Sequence, residues 1–192
     1  MNLQFDLIAI DLETTGCDPF VYSICQIGLA IVKKDLTIVA TYSSVVLPLD
    51  DSRDPRAMEI HGISEETLSE APTFAMVLME IKDLYPNVHK LVPAAWGTHF
   101  DLHFLRVQCR RLNIGWPFSG KSFDIKTAAM WEMAKNDSAT SGGISKVLRS
   151  LGTDFEGRKH NALSDILNAV RILQILGGKE NASDCSLVHS SR

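Results

Sequence analysis

Cysteine is scarce in this chain and unpatterned. Cys17, Cys25, Cys109 and Cys185 are scattered through 192 residues with no CxxC pair. That argues against a disulfide framework or a zinc site and for a reducing, cytoplasmic compartment. Long apolar runs are missing too, so no membrane span and no membrane partner are expected. The first residues, Met1 to Asp6, lack the basic and apolar regions of a signal peptide. Positive charge is not in excess: 19 Lys and Arg stand against 23 Asp and Glu, a net charge of −4. This balance speaks mildly against a nucleic-acid binder, although a carboxylate metal site adds negative charge that bound cations would offset. There is no internal repeat and no low-complexity tract. What remains, 45% hydrophobic and 22% charged residues, is the composition of an ordinary globular domain with a sizeable core. One domain is expected over residues 1–178, followed by a polar, disordered tail at 179–192.

Taken in order, the apolar run Phe5 to Ile10 reads as a buried strand. Residues 21–33 and 36–47 read as a hairpin turning at Lys34-Asp35, which completes an antiparallel meander. Pro48 and Pro55 frame a loop. Ser64 is a fair N-cap for a short helix, and Thr73 can cap a helix over 74–85 with Phe74, Val77, Leu78, Ile81 and Leu84 on one face. A strand is expected at 88–95, then a helix over 99–112 with Leu102, Leu105, Cys109 and Leu112 inward and Arg106, Arg110 and Arg111 opposite. Residues 122–124 read as a short strand running into a helix, 136–143 as a flexible loop, and 144–151 as a short helix. The last helix runs from about Ala162 to Leu176 and stops at Gly177-Gly178.

Acidic residues sit at three joints of this pattern. Asp11 and Glu13, one residue apart on a strand, point to the same face. Like charges so close repel unless something positive lies between them, and oxygen donors at an open strand end suit a hard divalent cation. Gly16 then permits a sharp turn. The plainer alternative is a solvated acidic turn. Asp101 lies in the first turn of its helix, where the dipole alone would favour it. His160 precedes the last helix and Asp165 lies about one turn in, which also fits a cap and an exposed acid.

The order of these segments resembles the DEDDh branch of the DnaQ-like 3′→5′ exonucleases, which includes polymerase proofreading ε subunits, ribonuclease T and oligoribonuclease. The resemblance spans about residues 5–176. Asp11-Leu12-Glu13-Thr14-Thr15-Gly16, Phe100-Asp101-Leu102-His103-Phe104-Leu105 and His160 to Asp165 match the family's three motifs. Ile60-His61-Gly62-Ile63-Ser64, followed by Ala71-Pro72-Thr73-Phe74, matches a less specific stretch. Where many relatives carry His-Asn-Ala, this chain has Trp96-Gly97-Thr98, and the Trp-Gly pair is more similar to relatives that trim structured or small RNA 3′ ends.

The resemblance implies an α/β, ribonuclease-H-like fold: a central mixed sheet with the meander at its N-terminus and helices on both faces. It implies that Asp11, Glu13, Asp101 and Asp165 hold two divalent cations, Mg²⁺ or Mn²⁺, ~3.5–4 Å apart, with Asp11 bridging them and Asp101 acting mainly through water. His160 is implied as general base; an imidazole suits that work near neutral pH. Leu12, Thr14, Ile60, His61 and Phe100 are implied to hold the terminal nucleotide of a DNA or RNA 3′ end. For His61 a structural turn histidine is an equal reading. Arg106, Arg110, Arg111, Lys121, Arg158 and Lys159 are cations that either meet phosphates or form a solvated face, the second being the expectation for most of them. An inactive binding or scaffolding domain of the same fold is the alternative, but degenerate relatives usually lose an acid and none is lost here. Homodimers occur in parts of the family. Polymerase association is not favoured, because the segment after Gly178 is short and polar.

Overall fold

The computed structural model describes residues 3–135 and 142–179. A five-stranded mixed sheet organises them, in the order β3-β2-β1-β4-β5. β1 (Leu7–Thr14), β2 (Ile24–Val32) and β3 (Ile38–Val45) form the antiparallel meander. β4 (Val92–Ala95) and β5 (Phe123–Asp124) add in parallel beyond β1. The helices are α1 (Pro55–His61), α2 (Glu65–Ser69), α3 (Phe74–Leu84), α4 (Thr98–Arg111), α5 (Ile125–Ala134), α6 (Ile144–Ser150) and α7 (Ala162–Leu176). Alternation along β1 sorts the layers. Ile8, Ile10 and Leu12 pack with Phe74, Ile81, Leu102 and Leu105 of α3 and α4. Leu7 and Ala9 pack on the other face with Ile125 of α5 and Ile166 and Val170 of α7. The ribonuclease-H-like mixed sheet expected from the sequence is the fold observed.

Several local expectations are corrected. β1 starts at Leu7 rather than Phe5, and it runs on to Thr14 with both acids inside the strand, as their shared face required. The hairpin turn is longer than Lys34-Asp35, because Leu36 adopts φ 70° and its side chain is buried there. Residues 88–95 are not one strand: Val88–Lys90 form a 3₁₀ turn before the short β4. Part of the 48–55 loop starts a helix that the framing prolines concealed. Asp54 caps α1 by accepting from the Arg56 N–H, and Pro55 takes the first helical position, where its missing N–H costs nothing. Gly16 has no positive φ; it is small because a Cβ would lie 2.4 Å from the Tyr22 ring. Most of the loop expected at 136–143 and of the tail expected at 179–192 lies outside the described residues, as does Cys185. Cys17, Cys25 and Cys109 are free thiols. No helix among the described residues is long and apolar enough to cross a membrane.

Candidate active site

β1 is where the site begins. β4 pairs only with Leu7 to Ala9, so on that side β1 loses its partner strand before it reaches Asp11. The start of α4 moves into the opening. The Leu12 N–H donates to Asp101 Oδ1 at 3.1 Å, which satisfies a backbone donor that a longer β4 would have taken. Asp101 is 5% exposed. Asp11 and Glu13, in phase with Leu7 and Ala9, face α7. There the sheet admits the helix end very closely. Gly28, the partner of Asp11 on β2, would place a Cβ 2.3 Å from the Ala162 and Leu163 backbone. Gln26, the partner of Glu13, accepts the Ala162 N–H at 3.0 Å. Asn161 accepts the Ser164 N–H and caps α7. Asp165, in the first turn, is thereby aimed at the two acids of β1.

One cleft of about 650 Å³ collects Asp11, Leu12, Glu13, Phe100, Asp101, His160 and Asp165. Donor atoms of Glu13, His160 and Asp165 lie within 4.8 Å of one another. His160 is exposed and takes φ 56°, a left-handed conformation uncommon outside glycine. The preceding loop is clasped from behind: Arg158 donates to the His61 carbonyl at 2.9 Å. No Lys or Arg forms a salt bridge with any of the four acids among the described residues. Their charge is therefore poorly balanced, and their acidities show it. Burial, then repulsion from Asp101, Asp165 and Glu13, raises Asp11 well above the usual carboxylate range. Burial, with Asp165 and Asp101 adding, pushes Glu13 to about 8 although Arg158 opposes it. Burial lifts Asp101 to about 7 against the Leu12 hydrogen bond. Burial also raises Asp165, with His160 opposing. Four oxygen-donor side chains with mutually suppressed ionisation and no salt-bridged cation fit hard divalent ions.

The remaining expected nucleotide contacts divide. Leu12 and Phe100 line the cleft; Thr14, Ile60 and His61 do not. Thr14 is buried and its hydroxyl donates to the Gly16 carbonyl at 2.7 Å. Ile60 is exposed on α1. His61 is 2% exposed; its Nδ1 accepts the Ile63 N–H at 3.0 Å, and its Nε2 lies 3.6 Å from the Cys25 sulfur. Burial, with Arg158 adding, holds His61 below the usual histidine range, so the ring is neutral. Of the expected cations, Arg106 lies over the Trp116 ring and Arg111 pairs with Asp50, while Lys159 lines the cleft. Sequence reasoning passed over Lys126, Lys146 and Arg149, which join Lys159 around the cleft. Nothing in their local sequence distinguishes them from surface cations. It also passed over Asp124. That side chain caps α5 through the Thr127 N–H and accepts from both the N–H and hydroxyl of Thr98, which fixes the start of α4. Although burial opposes it, these hydrogen bonds hold Asp124 below the usual carboxylate range. The Trp96-Gly97 departure is mild for the backbone, since Gly97 takes φ 98°, in the positive-φ half of the map that glycine and asparagine tolerate best.

The exonuclease family model named for ribonuclease T matches residues 8–173. The PolC-type DNA polymerase III of Thermotoga petrophila is 33% identical over 119 residues, which is 58% of this chain and 8% of that protein. The 3′-5′ exonuclease DinG of Staphylococcus saprophyticus is 29% identical over 107 residues, 56% of this chain and 11% of that protein. The chain thus spans about a tenth of the length of these relatives. Among solved structures, the nuclease domain of 3′hExo, a DEDDh family member bound to rAMP, superposes with a TM-score of 0.72 at 22% identity, covering 90% of this chain and 92% of that one. The match runs from the first strand to the last helix, on a fold shared with a DEDDh nuclease, and the chain belongs to the exonuclease family that the ribonuclease T model describes.

Proposed function

We propose that this domain is a 3′→5′ exonuclease that hydrolyses the terminal phosphodiester of DNA or RNA and releases nucleoside 5′-monophosphates. The observation that carries the reading is the convergence of Asp11, Glu13, Asp101 and Asp165 in one cleft with His160 at its rim. Divalent cations, two Mg²⁺ or Mn²⁺ ions by family resemblance, would be held by these four acids and would supply Lewis-acid charge at the scissile phosphate. His160 stands close enough to Glu13 and Asp165 to take the proton of the attacking water, and it is free to do so because its ring is exposed rather than locked in the core. Leu12 and Phe100 offer apolar surface to the terminal base. Thr14 and His61 act behind them, the first by holding the chain at Gly16 and the second by supporting the loop that Arg158 clasps. Lys126, Lys146, Arg149 and Lys159 draw the phosphate chain toward the acids and offset their charge.

The 3′-5′ exonuclease activity for which DinG is named supports the 3′→5′ direction. A DNA polymerase relative and an rAMP-bound neighbour support one sugar each, so both belong in the test. Oligonucleotides of DNA and RNA labelled at the 5′ end are incubated with Mg²⁺ or Mn²⁺. A descending ladder of labelled products is expected. Immediate release of a labelled mononucleotide would mean the opposite polarity, and no cleavage of any substrate would favour an inactive domain.

A further inference from the structure

The sheet has an edge at β3, which pairs with β2 alone. Along an antiparallel strand, successive residues turn their backbone N–H and C=O groups to alternate sides. Just past the end of β3 the Val46 N–H donates inward, to the Cys25 carbonyl at 2.9 Å, and the Leu47 N–H donates outward, to the Pro72 carbonyl at 2.9 Å. Odd-numbered residues of β3 therefore face outward. The Thr41 carbonyl agrees, since it accepts the Tyr85 hydroxyl at 3.4 Å. Both ends of the edge are thus closed, one by the Leu47–Thr73 bridge and the other by Tyr85. The middle is open. Among the described residues, no hydrogen bond from outside β3 reaches the outward N–H of Ser43 or Val45. Proteins commonly guard an open edge with Lys or Pro, and Tyr42-Ser43-Ser44-Val45 contains neither. The stretch is not a flat edge, however. It forms one wall of a second cleft, of about 710 Å³, whose other walls come from α2, the loop after it and α3. Glu66, Glu70 and Glu80 line this cleft, and no Lys, Arg or His does. None of the three forms a salt bridge among the described residues. The Tyr42 hydroxyl donates to Glu80 Oε2 at 2.8 Å, which holds that carboxylate at the wall. Met76, 58% exposed, lies one turn before Glu80 on α3 and offers apolar surface for the stem of a long cationic side chain.

We propose that this second cleft docks an extended, Lys- or Arg-rich segment of another protein, which pairs with Ser43 and Val45 as a sixth strand and sets its cations against Glu66, Glu70 and Glu80. Main-chain hydrogen bonds give an added strand its affinity, and the side-chain environment along the groove gives it specificity. The sign of the charge selects the occupant. A phosphate chain is repelled here, whereas the cleft with the four acids is ringed by Lys126, Lys146, Arg149 and Lys159. A second copy of this chain is also disfavoured, because two-fold pairing of β3 edges would bring its own Glu66, Glu70 and Glu80 against these. The proposal is independent of the exonuclease reading.

The probe is a fluorescein-labelled, end-capped octapeptide of alternating Lys and Val, titrated into the protein with Mg²⁺ present to compete for the other acidic cleft. Two control peptides accompany it: one with Glu in place of Lys, and the Lys-Val peptide N-methylated at alternate amides so that it cannot pair. Only the unmodified Lys-Val peptide should bind, and backbone amide shifts in the NMR spectrum of the protein should centre on Ser43 and Val45. Ser43→Pro removes an outward N–H that β2 does not use, so it should abolish binding while the sheet persists by circular dichroism. Glu66→Gln with Glu70→Gln should weaken binding about 2- to 30-fold, the loss of two exposed ion pairs. Should Ser43→Pro fail to fold, the N-methylated peptide puts the same question to the wild type. Absence of Lys-Val binding at millimolar peptide, equal binding of either control peptide, or shifts confined to Asp11, Asp101 and Asp165 would overturn the proposal. So would shifts at Ser43 and Val45 that grow with protein concentration alone, which would make the occupant a second copy.

Discussion

The acidic cluster has an inner half and an outer half, and they are built differently. Asp11 and Asp101 belong to the inner half. Asp11 sits within a strand whose neighbouring residues are wholly buried, and Asp101 is fixed by the Leu12 N–H in the gap left by a short β4. Glu13, His160 and Asp165 form the outer half. His160 is exposed while Glu13 and Asp165 are half-buried, as Asp11 is, and the mutual placement of the three depends on a loop with positive φ at His160, on the Arg158 clasp and on how closely α7 meets β2. The inner half is set by the sheet itself, while the outer half is set by docking. A substitution in the first should act on charge and chemistry with little effect on the fold. A substitution in the docking surface should act on the fold and reach the chemistry through it.

The largest expected effect is at Asp11. Asp11→Ala should abolish turnover and weaken metal binding, yet raise the melting temperature of the metal-free protein above neutral pH, since repulsion from Asp101, Asp165 and Glu13 is relieved. Calorimetric metal titration and thermal melts check both. Lower stability with intact activity would contradict the inner-half description.

Next comes His160. His160→Ala should lower kcat by ~10²–10⁴-fold, the contribution typical of a general base, and leave metal affinity nearly unchanged. Rates at saturating metal and a metal titration separate the two. A comparable loss of metal affinity would make His160 a ligand alongside Glu13 and Asp165, which the 4.8 Å cluster also permits geometrically.

A smaller effect on rate, but one on stability, is expected at Gly28. Gly28→Ala forces a Cβ against the Ala162 and Leu163 backbone. Overpacking of that kind costs about 1–3 kcal/mol, a fall in melting temperature of roughly 2–12 °C for a domain this size. Activity should fall with it because Asp165 moves with α7. An unchanged melt would mean that α7 is not seated on β2 as described.

The same division explains what could be read from the chain beforehand. The four acids, His160 and most helix and strand positions were legible because each is a local signal: an apolar run, a cap, a periodic face. The four clustered acids come from β1, α4 and α7, and family resemblance joined them. Docking residues carried no such signal. Gln26 and Gly28 lie in an otherwise unremarkable apolar strand, and their partner is Ala162, 136 residues away in the case of the Gln26 hydrogen bond. Lys126, Lys146 and Arg149 look like solvated cations until α5 and α6 are packed around the cleft. Ile60 and His61 were expected at the nucleotide by resemblance alone, and the short helix α1, concealed behind Pro48 and Pro55, holds Ile60 outward and His61 inward.

Whether the four acids act together as one cation site is tested most directly by the melting temperature of the metal-free protein against pH, repeated with Mg²⁺ or Mn²⁺. Unfolded carboxylates titrate near ~4, whereas Glu13 is raised to about 8 and Asp101 to about 7 in the fold. Between those limits the folded state binds more protons than the unfolded one, so stability must fall as pH rises. The stabilisation is fully present below pH ~4 and lost as pH passes through the folded values. The predicted result is a metal-free melting temperature that declines from about pH 5 to pH 8.5 and a decline that divalent cations remove, with their largest stabilisation at the alkaline end. A flat metal-free profile, or one that cations leave unchanged, would contradict it.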